Sequence, residues 1–214
     1  ELEMKYMTAK EEDILTNSNY IKNGTVIDKL LDSFIITEGV VYKELLVGDK
    51  NALMVAARIL SYGKDYETTY LGKKYTVDLS ELKNKEIDYS LLKDRKNNLE
   101  FELPQTKNKV TFKFLTHQDE KDIDSEINGL KKMNKESSTE VTTRLKHTIT
   151  SVNGLSETKD IREFVDKFLL ASDARALRNY ITSISPDVEL KFYPTDVSEG
   201  VDLPIGIGFF WPDF

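Results

Sequence analysis

Val41–Leu53 reads VYKELLVGDKNAL, and Val165–Leu177 reads VDKFLLASDARAL. Placed in register at an offset of 124 residues, they share Val41/Val165, Lys43/Lys167, Leu45/Leu169, Leu46/Leu170, Asp49/Asp173, Ala52/Ala176 and Leu53/Leu177. The same offset brings Ser61 onto Ser185 and Val77-Asp78-Leu79 onto Val201-Asp202-Leu203 without a gap. One supersecondary unit therefore occurs twice. Two copies are too few for a solenoid, which needs about three or more repeats to bury a continuous core. The expectation is an α+β fold with two pseudo-symmetric copies of a helix-helix-β-hairpin unit, joined by a central hairpin and a charged helix.

The flanking sequence fits that frame. Thr8 and Glu11 have capping-box spacing for a short helix to about Thr16. Asn23-Gly24 breaks the chain, and Val26, Ile27, Leu30, Leu31 and Phe34 recur at helical spacing after it. In the first copy, a helical segment at Val41–Val47 and a break at Gly48 lead to a helix with Asp49 as N-cap and Gly63 at its C-terminal stop. Strands Tyr66–Tyr70 and Tyr75–Leu79 then flank Leu71–Lys74. In the second copy, a helix over Asp160–Leu170 precedes one capped by Asp173 or Ser172, which Pro186 ends. Strands Val188–Tyr193 and Val201–Ile205 follow.

Between the copies, Leu99–Leu103 and Val110–Phe114 alternate as a second hairpin, and a densely charged helix runs from about Gln118 to Asn134. Beyond a polar linker, Lys135–Thr139, the run through Leu145, His147 and Ile149 fits a strand by alternation. It also fits a helix through Val141, Leu145, Ile149 and Val152. The domain reading is an N-terminal lobe over 1–98, a central hairpin and charged helix over 99–138, and a C-terminal lobe over 139–214.

Composition narrows the function. With 214 residues, a net charge of −7 and no cysteine, the chain lacks the basic face of a general nucleic-acid binder, and disulfides and thiolate metal sites are excluded. Its apolar runs are far shorter than the ~18 residues a membrane span needs, and a soluble cytoplasmic protein is expected. No Gly-rich phosphate loop, nucleophile elbow or zinc-ligand spacing occurs. His117 with Asp119, Asp122 and Asp124 could form a base or a metal site, against the alternative of a solvated helix start whose acids offset the dipole. His147 has no nucleophile-carboxylate set around it. Asp49 and Asp173 read as helix caps rather than duplicated catalytic acids. Arg58, Arg175 and Arg178 fit either an acidic partner or apolar surface covered by their stems. No catalytic residue, metal or cofactor is expected.

Two segments are the candidates for partner binding: the stripe of Ile123, Ile127 and Leu130 on the charged helix, and the aromatic terminus with Phe210, Trp211 and Phe214. For Phe209 and Trp211, a place in the core competes with a role as exposed anchors.

Four stretches taken in order carry a resemblance: Lys50–Gly63 (KNALMVAARILSYG), Leu145–Gly154 (LKHTITSVNG), Asp173–Tyr180 (DARALRNY) and the closing Phe209–Asp213 (FFWPD). The chain, from about Thr8 to Asp213, resembles the baseplate hub assembly proteins of T-even-type contractile-tailed bacteriophages. The resemblance implies a viral protein made in the host cytoplasm that binds other tail or hub proteins, the tape measure protein being one candidate. It implies an assembly factor or chaperone, or alternatively a permanent subunit of the virion baseplate hub. Some related sequences place cysteine pairs at the tips of the two hairpins. Here those tips read Tyr70-Leu-Gly-Lys73 and Tyr193-Pro-Thr-Asp196, so no zinc is expected.

Overall fold

The computed structural model describes residues 2–88, 90–91, 97–133, 139–195, 197 and 199–211. It is a mixed helix-and-sheet protein of the α+β class with small antiparallel sheets. The chain forms two compact units, one of Glu1–Lys85 with Pro186–Phe214 and the other of Glu86–Ser185.

In the first unit, helix α1 (Ala9–Leu15) starts from the expected box, with Glu11 accepting the Thr8 N–H at 2.9 Å. A short helix α2 (Ser18–Lys22) follows, capped by the Asn17 side chain, which accepts the N–H groups of Asn19 and Tyr20. Helix α3 (Val26–Phe34) buries Val26, Leu30, Leu31 and Phe34, the face its periodicity marks. The helical segment expected near Val41 shortens to a 3-10 turn, Tyr42–Glu44. Gly39 precedes it at a φ of +78°. In the second copy a helix over Thr158–Lys167 covers only Val165–Lys167 of the aligned stretch, which is not helical again until Ala171.

Helix α4 (Val47–Tyr62) begins two residues before Asp49, so Gly48 lies inside its first turn rather than breaking the chain. Gly48 is needed for another reason: a Cβ there would overlap the Pro186 carbonyl oxygen and stand 2.9 Å from its carbon. The helix ends at Gly63, as expected. Strands β1 (Asp65–Tyr70) and β2 (Lys73–Asp78) form a hairpin closed by Leu71 and Gly72, both at positive φ.

The second unit holds the three-stranded antiparallel sheet of β3 (Leu99–Glu102), β4 (Lys109–Phe112) and β5 (Ile149–Val152). It also holds helices α5 (His117–Met133), α6 (Glu140–Thr148), α7 (Thr158–Lys167) and α8 (Ala171–Ile184). The ambiguous segment around Leu145 is both things in succession: helix to Thr148, then strand from Ile149. The linker expected over Lys135–Thr139 falls outside the described residues apart from Thr139.

The last hairpin, β6 (Lys191–Phe192) with β7 (Val201–Asp202), belongs to the first unit. Phe192, Leu203, Phe209 and Phe210 enter one core with Leu15, Leu30, Phe34 and Leu79. The divisions at 98 and 138 expected from sequence therefore do not coincide with the structural ones. Helix α5 is part of the second unit's body, and the proposed C-terminal lobe is shared between the two units. Helices α4 and α8 start at equivalent positions of the repeat, Val47 and Ala171. The hairpins are less alike: Val77 pairs with Tyr66, whereas its counterpart Val201 pairs with Phe192, two residues beyond the position equivalent to Tyr66.

Candidate functional site

In the first unit the two hairpins are tied at their base and open outward. The Lys85 N–H donates to the Asp187 carbonyl and the Glu189 N–H to the Lys83 carbonyl, both at 2.8 Å, around a bridge between Asn84 and Val188. Beyond Glu189 the pairing stops, because the Lys191 N–H turns back to the Glu189 carbonyl at 2.9 Å. The result is a groove of about 550 Å³ whose walls are Tyr75–Asp78 on one side and Lys191–Thr195 on the other. Tyr75 and Phe192 span it, their ring centroids 5.6 Å apart. Consecutive residues line each wall. A strand's face would contribute every second residue, so the groove runs along strand edges.

The second unit's ionisable groups are arranged differently. Glu126 of α5 receives both forks of Arg162 from α7 at 2.7 Å and lies 3.0 Å from Nε2 of His147 on α6. Arg144 forks onto Glu120, Lys113 bonds Asp119 at 2.7 Å, and Lys146 bonds Asp166 at 2.7 Å. The Arg162 fork, opposed by burial and aided by His147, holds the Glu126 carboxyl at about 2. Glu120 and Glu126 fasten α5 to α6 and α7, and Asp166 ties α7 to α6.

A value depressed in the folded state means that stability from Glu126 is fully present above its ordinary range near 4.5 and is lost as pH falls through 2. Glu126→Gln is expected to cost about 1–2 kcal/mol at pH 7. It should also flatten the acid-induced loss of amide-exchange protection in α6. An unchanged acid profile would show that the fork contributes nothing.

The catalytic candidates are not drawn together. His117 is buried at the start of α5 rather than solvated, Asp119 is committed to Lys113 and Thr116, and Asp122 accepts from Gln118 at 2.9 Å. Among the described residues no group of three or more metal-ligating side chains occurs, and no helix is long and apolar enough to cross a membrane.

Asp49 and Asp173 are not N-caps; each sits two residues inside its helix, after Leu46 and Leu170. Asp49 accepts the Leu46 N–H at 3.1 Å, and burial moves its pKa up. Asp173 is fully buried and reaches away from its own helix to the β3–β4 turn, accepting the N–H groups of Gln105 and Thr106 at 2.8 and 3.0 Å. Burial alone would raise its pKa, but those bonds outweigh it and the net direction is down.

Arg58 is buried over the rings of Tyr62 and Tyr66, its guanidinium carbon 4.9 and 5.7 Å from their centroids. Arg175 is exposed, and Arg178 donates to the Ala174 carbonyl of its own helix.

The sequence candidates for partner binding need correction. Ile123 and Ile127 are buried, because the narrow apolar stripe of α5 is what packs against the rest of the second unit; Leu130 is half-buried. Phe210 is fully buried beside Phe209, and Phe209 stacks at a tilt on Tyr66 with centroids 4.9 Å apart. Trp211 remains 42 % exposed, and Phe214 lies outside the described residues. The groove was missed. Its only trace in the sequence is a polar β2 that opens on Lys73-Lys74, which suits an edge strand. Comparison with family models, with curated proteins and with solved structures finds no match for this chain.

Proposed function

We propose that this chain is a non-enzymatic protein of a contractile phage tail that acts in baseplate hub assembly, by binding other tail proteins as an assembly factor or chaperone. The observation that carries the reading is the open groove of the first unit, a concave surface bounded by strand edges and suited to a polypeptide partner. Two further features support it. Asp119, Glu120 and Glu126 of α5 are engaged in ion pairs with Lys113, Arg144 and Arg162 of the same unit, and the repeated sequence at Val41 and Val165 fits a duplicated, pseudo-symmetric framework for presenting surfaces. On this reading the groove takes over the partner-binding role first expected of Ile123, Ile127 and Phe210, while the half-exposed Trp211 remains available to a partner. The protein acts in the host cytoplasm during assembly.

Affinity capture with the tagged chain from phage-infected cells is expected to recover defined tail proteins, with the tape measure protein the first candidate. Mass spectrometry of purified particles should find the chain absent while assembly intermediates contain it. Presence at fixed copy number in mature particles would make it a virion subunit instead. Failure to capture any tail protein would discard the reading altogether.

A further inference from the structure

We infer that the groove receives an extended polypeptide segment as an added β-strand on the free edge of β2, an inference that rests on the assembly reading above for the partner's identity but not for its chemistry. Antiparallel ladders alternate between residue pairs that exchange hydrogen bonds and pairs that do not. The Leu79 N–H donates to the Lys64 carbonyl at 2.8 Å, which sets the phase of the β1–β2 hairpin. Val77 opposite Tyr66 and Tyr75 opposite Thr68 then bond to β1, while Thr76 and Asp78 direct their backbone N–H and C=O groups away from it.

Thr76 is exposed, and its backbone makes no hydrogen bond outside the hairpin among the described residues. An unsaturated edge of this kind matches the alternating N–H and C=O groups of an extended chain, and the side pockets of the groove then select the residues that point into it. The opposite wall is a poorer template, since the Lys191 N–H is already used. The strand is therefore expected on β2, with Phe192 and Tyr193 covering it.

Charge selects among extended segments. Asp78 is paired with Lys64, and the other charged residues of the lining, Glu81 and Glu189 against Lys83 and Lys191, balance one another. A segment with uncharged residues along the groove is favoured over a strongly acidic or strongly basic one.

The test uses a fluorescein-labelled octapeptide of alternating valine and threonine with lysine at each end. The full chain is expected to bind it and to gain exchange protection at the Thr76 and Asp78 amides. The same peptide N-methylated at alternate amides should not bind. Thr76→Pro removes an N–H that β1 does not use, and proline is tolerated at such edge positions. It should weaken binding roughly tenfold, the effect of losing about one hydrogen bond, while Thr76→Ala binds like the wild type. Protection of the Val77 and Leu79 amides reports whether the proline variant keeps its hairpin, and the N-methylated peptide tests the same bonds without any mutation.

Equal binding of the two peptides, or no binding of either, overturns strand addition. Capture of tail proteins with an affinity unchanged by Thr76→Pro would overturn it too while leaving the assembly role standing. Loss of capture by wild-type chain, with the peptide still bound at β2, would remove the assembly role and keep the strand site.

Discussion

Asp173→Ala is expected to destabilise the second unit by about 3–5 kcal/mol, the largest effect of any single polar substitution considered for this chain. The carboxylate is fully buried and accepts three hydrogen bonds from the turn between β3 and β4: the N–H of Gln105, the N–H of Thr106 and the Thr106 hydroxyl at 2.7 Å. Alanine leaves two backbone N–H groups and a hydroxyl without the acceptor that pins the turn, and a donor left unsatisfied costs more than the bond contributed. The same turn holds Lys107 at a φ of +60°, so its geometry depends on being pinned. Urea denaturation together with amide exchange at Gln105 and Thr106 is the measurement, with both amides losing protection first. Asp173→Asn keeps one acceptor oxygen and should lose about half as much.

The pH dependence follows from the same bonds. Because the folded value lies below the ordinary aspartate range, the stability Asp173 supplies is complete above about pH 4 and declines as pH falls through the depressed value. Wild-type and Asp173→Asn proteins should therefore converge in stability toward strongly acid pH. Parallel curves would show that the carboxylate's charge is irrelevant to its role.

Gly48→Ala should destabilise the first unit by about 2–4 kcal/mol, although alanine in an exposed helix position normally stabilises by about 1 kcal/mol. The sign is the test. A methyl group at Gly48 would collide with the Pro186 carbonyl, a backbone atom that cannot rotate away. That contact helps to place the returning C-terminal segment on α4, where Asn51 also donates to Asp187 at 2.9 Å. The other copy of the repeat has Ser172 at the equivalent place, exposed, so the helix itself does not require glycine there. A melting temperature equal to or above the wild type would mean that Pro186 stands further from the helix.

Much of the local structure was legible. The Thr8–Glu11 box, the apolar face of α3, the stop at Gly63 and the first hairpin follow from interactions between residues a few positions apart, and all are found. The site was not. The α5 stripe could be read as a helix face but not as a face already covered, since Ile123 is buried by residues distant in sequence that no local pattern identifies. Phe210 failed in the same way, as an aromatic segment that looked terminal and free but fills the core of the first unit.

The amino-acid sequence by itself determined the box that starts α1, the apolar face of α3, the stop at Gly63, the presence of the first hairpin, the acidic balance of the chain, and the repetition within which α4 and α8 have equivalent starting points. Tertiary structure decided the rest: that the last hairpin joins the first unit, that Asp173 serves a distant turn while Asp49 serves its own helix, and that two hairpins tied at Asn84 and Val188 leave an open edge between them. The reason is physical. Caps and turns are short-range hydrogen bonds fixed by neighbours along the chain, whereas apolar burial is non-directional, and its partners are chosen only when surfaces far apart in sequence meet.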